Sequence, residues 1–109
     1  MNLAVMFDTW HFCRTGGTLR SLEGLAPGEV GGVQASDAPT AQHGVIGVAA
    51  NSRLLPGEGA IPVGEVIDRV LIGNPDAFIA VEVISGALDQ LPIGEAAARA
   101  RASMRKVMT

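Results

Sequence analysis

A short apolar run near the start of the chain limits the fold more than any other feature. Residues 3–7 are continuously apolar, and Asp8 and His11 follow directly. Such a run is typical of a strand that is buried on both faces of a parallel sheet, because a half-exposed strand alternates apolar and polar residues. In α/β proteins, sites are built where these strands end. We therefore expect a core strand at residues 3–7, with chemistry at Asp8 and His11.

Strand and helix patterns alternate along the rest of the chain. Further strands are predicted over residues 29–35 and 77–84, and residues 40–51 and 85–92 are expected to be loops. Helices are predicted as a short segment capped by Thr18, an amphipathic segment over 63–72 and an Ala- and Arg-rich segment over 95–108. This alternation predicts an α/β fold with a parallel sheet and right-handed crossovers.

The composition limits the size and the partners of the protein. A chain of 109 residues with 48% hydrophobic and 17% charged residues can form one small core, so we treat 1–109 as a single domain or part of one. The net charge of -3 argues against a nucleic-acid surface. A single cysteine, Cys13, excludes an internal disulfide framework. We interpret Cys13 as a partly buried small hydrophobe beside the site and disfavour a nucleophile, since no paired base is evident.

Membrane and secretory segments are not apparent in the sequence. No stretch is long and apolar enough to span a bilayer. The N-terminus lacks a basic region, and Asp8 interrupts the apolar run too early for a signal peptide. These observations predict a cytoplasmic protein with no membrane partner.

Polar residues that could bind a metal lie at or near the carboxyl end of each predicted strand. Asp8, Gln34 and Glu82 would meet at the carboxyl edge of a parallel sheet. Carboxylate and amide oxygens suit a hard divalent cation such as Mg²⁺ or Mn²⁺. We expect Glu82 to be buried inside its apolar run, where an acid needs a metal or another cation as a partner.

Each of the other candidates has a structural alternative. Asp8 could simply cap a turn, and His11 could be an ordinary structural histidine. Arg53 could be a surface charge or a clamp for substrate oxygens, and Asp37 a turn residue or a support for a ligand. We treat His43 as a solvated side chain. The sequence leaves these alternatives open.

Several motifs, in this order and at these intervals, resemble the C-terminal part of one enzyme family. They are DTWH at 8–11, RTGG at 14–17, VQASDAP at 33–39, RLLPGEG at 53–59 and VEV at 81–83. Together they resemble the sugar phosphate isomerase/epimerase family, whose fold is the xylose-isomerase-like TIM barrel. The resemblance covers nearly the whole chain.

The resemblance implies a role for each candidate residue. Asp8 and Glu82 correspond to metal-binding carboxylates, and Glu82 also to a proton-shuttling group. His11 and Arg53 correspond to substrate contacts. Gln34 stands where many members have a histidine ligand. The implied cofactor is a divalent metal (Mn, Mg, Co or Zn), and the implied reaction is proton transfer next to a carbonyl of a sugar or sugar phosphate, through an enediolate.

The resemblance also implies an incomplete fold. A (β/α)8 barrel takes roughly 250 residues, so this chain would supply about the last three β-α units. We expect it to need an N-terminal half-barrel partner or to form a homo-oligomer, because its outer strands would have open edges. The alternatives are a non-catalytic barrel remnant that acts as an interaction module, or a related dehydratase. The acidic charge and the presence of only two histidines disfavour a related DNA-repair endonuclease.

Overall fold

The structure is a computed structural model that describes residues 3–39 and 53–108. Three strands and four α-helices follow one another, with a 3₁₀ helix between the first helix and the second strand. In chain order they are β1 (Val5–Asp8), α1 (Thr9–Arg14), the 3₁₀ helix (Leu19–Gly24), β2 (Val30–Ala35), α2 (Val63–Gly73), β3 (Phe78–Val81), α3 (Gly86–Asp89) and α4 (Ile93–Val107).

The strands form a parallel sheet in the order β1-β2-β3, which confirms the predicted α/β class. Asp8 pairs with Gln34 across β1 and β2, and Gln34 pairs with Ala80 across β2 and β3. All three strands therefore end at the same edge. The three strands described make a partial α/β arrangement and not a closed barrel.

One face of the sheet carries the core. Phe7 and Val33 are adjacent in the register and both are buried. Helix α2 packs over this side with its buried residues Val63, Val66, Ile67 and Val70, which confirms the predicted amphipathic helix. The 3₁₀ helix adds Leu22 and is capped by Thr18, as expected, through the Thr18 side chain and the Ser21 N–H.

The opposite face of the sheet is exposed, and here the prediction of a strand buried on both faces was wrong. Leu3 is 80% exposed, Val5 and Met6 are about half exposed at 51% and 47%, and only Phe7 is buried. Phe78 also contributes exposed apolar surface. Its ring lies over Gly32, where a Cβ atom would be 2.4 Å from the ring. Among residues 3–39 and 53–108, the helices cover one side of the sheet only.

The element bounds differ from the predictions where side chains act locally. Asp8 caps α1 by accepting a hydrogen bond from the His11 N–H, so a helix that was not predicted forms directly after β1. Strand β3 is shorter than residues 77–84, and Ser85 caps the short helix α3 within the predicted loop 85–92. The predictions for residues 40–51, including His43, lie outside the described residues. No helix in the described ranges is long and apolar enough to cross a membrane.

Candidate functional site

An open cleft of about 500 Å³ lies at the carboxyl edge of the sheet. It is lined by the five residues to which the family resemblance assigns a role: Asp8, His11, Gln34, Arg53 and Glu82. Phe12 and Thr15 of the segment after β1 line it as well. Residues from distant parts of the chain therefore share one open cleft.

The strand register explains why the three oxygen donors lie together. Asp8 and Gln34 are register partners, so their side chains emerge on the same face from strands about 4.8 Å apart. Gln34 is paired with Ala80, and Glu82 lies two residues further along, which returns its side chain to that face. This face is the uncovered side of the sheet.

Glu82 is exposed, so the expectation of a buried acid was wrong. β3 ends at Val81, and Glu82 follows it, with its N–H donating to the Ala35 carbonyl at 3.1 Å. Because the sheet face around it is uncovered, its carboxylate remains in water. Because Glu82 is exposed, its charge does not require a metal or another cation as a partner. Its proposed role therefore depends on its position in the cleft.

Asp8 has two structural contacts. Its Oδ1 accepts the hydrogen bond from His11 N at 2.9 Å, so the capping alternative is observed. Its Oδ2 lies 3.6 Å from Nη1 of Arg53. Both carboxylate oxygens thus have protein neighbours, one a neutral donor and the other a cation.

Arg53 is buried, which excludes the alternative of a surface charge. The side chain is 5% exposed, with its guanidinium 4.5 Å from the centre of the Trp10 ring and Nη2 3.4 Å from Nε2 of His11. A guanidinium over an indole face is a favourable cation–π arrangement. Arg53 thus connects the loop that follows residue 52 to Asp8, His11 and Trp10.

Sequence reasoning missed Trp10 and did not decide between the alternatives for Asp37. Trp10 is 7% exposed and is the aromatic surface that supports Arg53. Asp37 is fully buried and accepts backbone hydrogen bonds from the 57–61 segment. The signal that could have identified the role of Asp37 is its position directly after β2, ahead of the Gly-Glu-Gly turn at 57–59 whose N–H groups it accepts from. Nothing in the sequence linked Trp10 to Arg53.

Cys13 belongs to the buried core cluster and is more fully buried than expected. Burial raises the pKa of its thiol above the usual value, and the negative charge of Asp37 adds to the shift. The protonated, unreactive form is therefore favoured.

The donor set has the chemistry that a hard divalent cation requires. Asp8, Gln34 and Glu82 offer two carboxylates and one amide oxygen, and three protein ligands with water in the remaining positions are common in catalytic metal sites. No group of three or more His, Cys, Asp or Glu side chains that could hold a metal occurs within residues 3–39 and 53–108. Gln34 is thus the residue that completes a set of three.

Comparison with known proteins shows a similar fold. No family model matches the chain, and no curated protein matches it by sequence. A crystal structure of the IOLI protein with a bound zinc atom superimposes with a TM-score of 0.82 at 19% sequence identity. The match covers 98% of this chain and 38% of the IOLI chain. The chain therefore spans well under half the length of this structural neighbour.

Proposed function

We propose that the chain is part of a divalent-metal-dependent isomerase or epimerase that acts on a sugar or sugar phosphate. The observation that carries this proposal is the shared cleft of Asp8, His11, Gln34, Arg53 and Glu82 at the carboxyl edge of the parallel strands. The similarity in fold to the zinc-binding IOLI protein supports a divalent metal in general. Within this proposal the sheet is a segment of a (β/α)8 barrel.

In this proposal, Asp8, Gln34 and Glu82 hold the cation. A bound divalent cation stabilises negative charge that develops on a carbonyl oxygen. We assign to the exposed carboxylate of Glu82 the role of accepting a proton from the carbon beside that carbonyl and returning it to the neighbouring atom. The Arg53 guanidinium and the His11 ring donate hydrogen bonds to substrate hydroxyl or phosphate oxygens. Trp10 limits the positions that Arg53 can take.

The proposed enzyme needs residues beyond this sheet. The exposed apolar surface of Met6 and Phe78 lies on the face that would point into a barrel, and both outer strands have free edges among the described residues. We therefore propose that an N-terminal half-barrel or further copies of the chain cover this face. Isomerase activity is expected from the completed assembly.

Metal binding and turnover test the proposal. Calorimetric titration with Mn²⁺ is expected to show binding at micromolar concentrations, and Glu82→Gln should weaken it about tenfold or more, since a charged ligand is replaced by a neutral one. The control is Glu65→Gln, the same change on an exposed residue of α2. Equal Mn²⁺ affinity in the wild type and Glu82→Gln would contradict the assignment. Exchange of the substrate α-proton with solvent, measured with a candidate half-barrel present, tests the reaction.

A second candidate function is a non-catalytic interaction module. The exposed apolar face favours it, because monomeric proteins rarely leave such surface uncovered. This function predicts a stable oligomer that binds no Mn²⁺ and exchanges no substrate proton. Restoration of turnover by an N-terminal half would argue against it.

A further inference from the structure

Asp37 is fully buried, and four backbone N–H groups of the described residues donate hydrogen bonds to its carboxylate. Its Oδ1 accepts hydrogen bonds from the N–H groups of Ala38 and Ile61, both at 2.8 Å. Its Oδ2 accepts from Gly57 at 3.1 Å and Gly59 at 3.0 Å. These four donors satisfy the hydrogen-bonding capacity that the carboxylate loses on burial. In return, Asp37 holds the segment 57–61 in one conformation.

The same residue fixes the backbone beside Arg53. Asp37 and Leu54 exchange two backbone hydrogen bonds, at 2.8 and 2.9 Å, in an antiparallel bridge. Gly59 permits this packing, since a Cβ there would lie 2.2 Å from the Ala38 carbonyl oxygen and 2.6 Å from Oδ1 of Asp37. The 53–61 loop is therefore anchored at both ends by Asp37.

The anchored loop places a cation next to a candidate metal ligand. Nη1 of Arg53 is 3.6 Å from Oδ2 of Asp8, and its stacking on Trp10 holds it there. Like charges repel strongly at such distances when little solvent intervenes. A guanidinium in this position must lower the affinity of Asp8 for a second cation.

We propose that Asp37 is a positioning residue that sets the cation affinity of Asp8 by holding Arg53 against it. This inference rests on the proposed metal site and deepens it. Loosening Arg53, or removing its charge, relieves the repulsion at Asp8. Both changes therefore tighten divalent-cation binding, although each removes a native interaction.

The direction in which Mn²⁺ affinity changes distinguishes a positioning role from simple structural support. A variant that only loses structural support should bind Mn²⁺ more weakly, whereas the proposal predicts tighter binding. Calorimetric titration with Mn²⁺ of the full chain should show about tenfold tighter binding in Arg53→Gln, which corresponds to about 1.4 kcal/mol. Asp37→Asn should shift affinity in the same direction by about threefold, because Asn cannot accept from all four donors. Loss of a negative charge at Asp37 would by itself weaken Mn²⁺ binding. Tighter binding would thus have to come from the displaced guanidinium.

Two further variants complete the experiment. Gly59→Ala pushes the loop away from Asp37 without changing any charge, and it should tighten Mn²⁺ binding as Asp37→Asn does. Asp68→Asn, on an exposed residue of α2, is the control and should leave the affinity unchanged. Circular dichroism confirms that each variant is folded before titration.

The possible outcomes are distinct. Mn²⁺ binding by the wild type with no tightening in Arg53→Gln, or in a folded Asp37→Asn or Gly59→Ala protein, overturns the inference and leaves the proposed function intact. Binding that is absent in the wild type and appears in Arg53→Gln supports the inference and contradicts a metal-dependent native enzyme. Absence of binding in every variant overturns both.

Discussion

At the scale of single residues, the site is built from side chains that have structural and chemical roles at once. Asp8 caps α1 and faces Arg53, and both contacts use the carboxylate that we propose as a metal ligand. The sequence predicted the position of Asp8, because an acid after an apolar run is a local signal. It could not predict the burial of Arg53, which depends on Trp10, a residue far away in the chain.

Gln34 is the member of the proposed ligand set that should decide which divalent metal the site prefers. An all-oxygen donor set favours Mg²⁺ or Mn²⁺, whereas an imidazole favours Zn²⁺. We predict that Gln34→His raises the affinity for Zn²⁺ relative to Mn²⁺ by about tenfold or more. Competition titrations with both metals measure the ratio. The control is Gln90→His on an exposed residue that lies outside the cleft lining; an equal change in the control would show that a surface histidine suffices.

Cys13 should make the free energy of unfolding fall as the pH rises into the alkaline range. Its pKa in the folded protein is raised above the ordinary value of 9.0, so the folded state favours the protonated thiol. The resulting stabilisation is complete below the unfolded pKa and is lost as the pH rises through the folded pKa. Urea unfolding between pH 8 and pH 11 should show this loss, and Cys13→Ala should reduce the slope. A slope that is unchanged in the variant would show that other groups cause it.

At the scale of elements, the sheet and α2 are joined by hydrogen bonds of one buried side chain as well as by apolar packing. Asn74, directly after α2, donates from Nδ2 to the Val70 carbonyl and accepts from the Val30 N–H through Oδ1, both at 2.9 Å. The residue is buried. One side chain thus terminates the helix and satisfies the first N–H of β2.

Removal of this connection should destabilise the fold. Asn74→Ala leaves the buried Val30 N–H and the Val70 carbonyl without these partners, which should cost about 1–3 kcal/mol. Urea denaturation measures the loss, with Asp76→Ala, an exposed residue of the same turn, as the control. A loss of less than about 0.5 kcal/mol would indicate that water replaces the lost bonds.

At the scale of the whole molecule, the structure is one-sided. Helices cover the face of the sheet that carries Phe7 and Val33, while Met6 and Phe78 remain exposed on the other. The outer strands β1 and β3 also present backbone groups that can pair with another strand. We expect this face and these edges to be where the molecule associates.

Association should therefore depend on the uncovered face. We predict that the chain forms oligomers at micromolar concentrations and that Met6→Gln shifts them toward monomer. Ile72→Gln, on the helix side and 80% exposed, removes a similar apolar group and should have no effect. Sedimentation velocity over a range of concentrations measures the distribution. Equal effects of the two substitutions would show that association is not specific to the sheet face.

The sequence by itself determined the order of the three strands and of the longer helices α2 and α4, the parallel sheet and the candidates at the strand ends. These follow from local signals: apolar runs, the helical spacing of Val63 to Val70, and polar residues where a strand stops. The expected burial of Glu82 failed for a related reason. The apolar run around Glu82 shows that the segment is hydrophobic, but it does not show whether another element covers the sheet face on which Glu82 lies.

Only the tertiary structure decided which candidates meet and what charge surrounds them. The pairing of Asp8 with Gln34 depends on the register between strands, and the buried Arg53 depends on its contact with Trp10 and on the loop held by Asp37. These contacts join positions far apart in the chain. Their energies depend on distance and burial, which no local pattern of residues encodes.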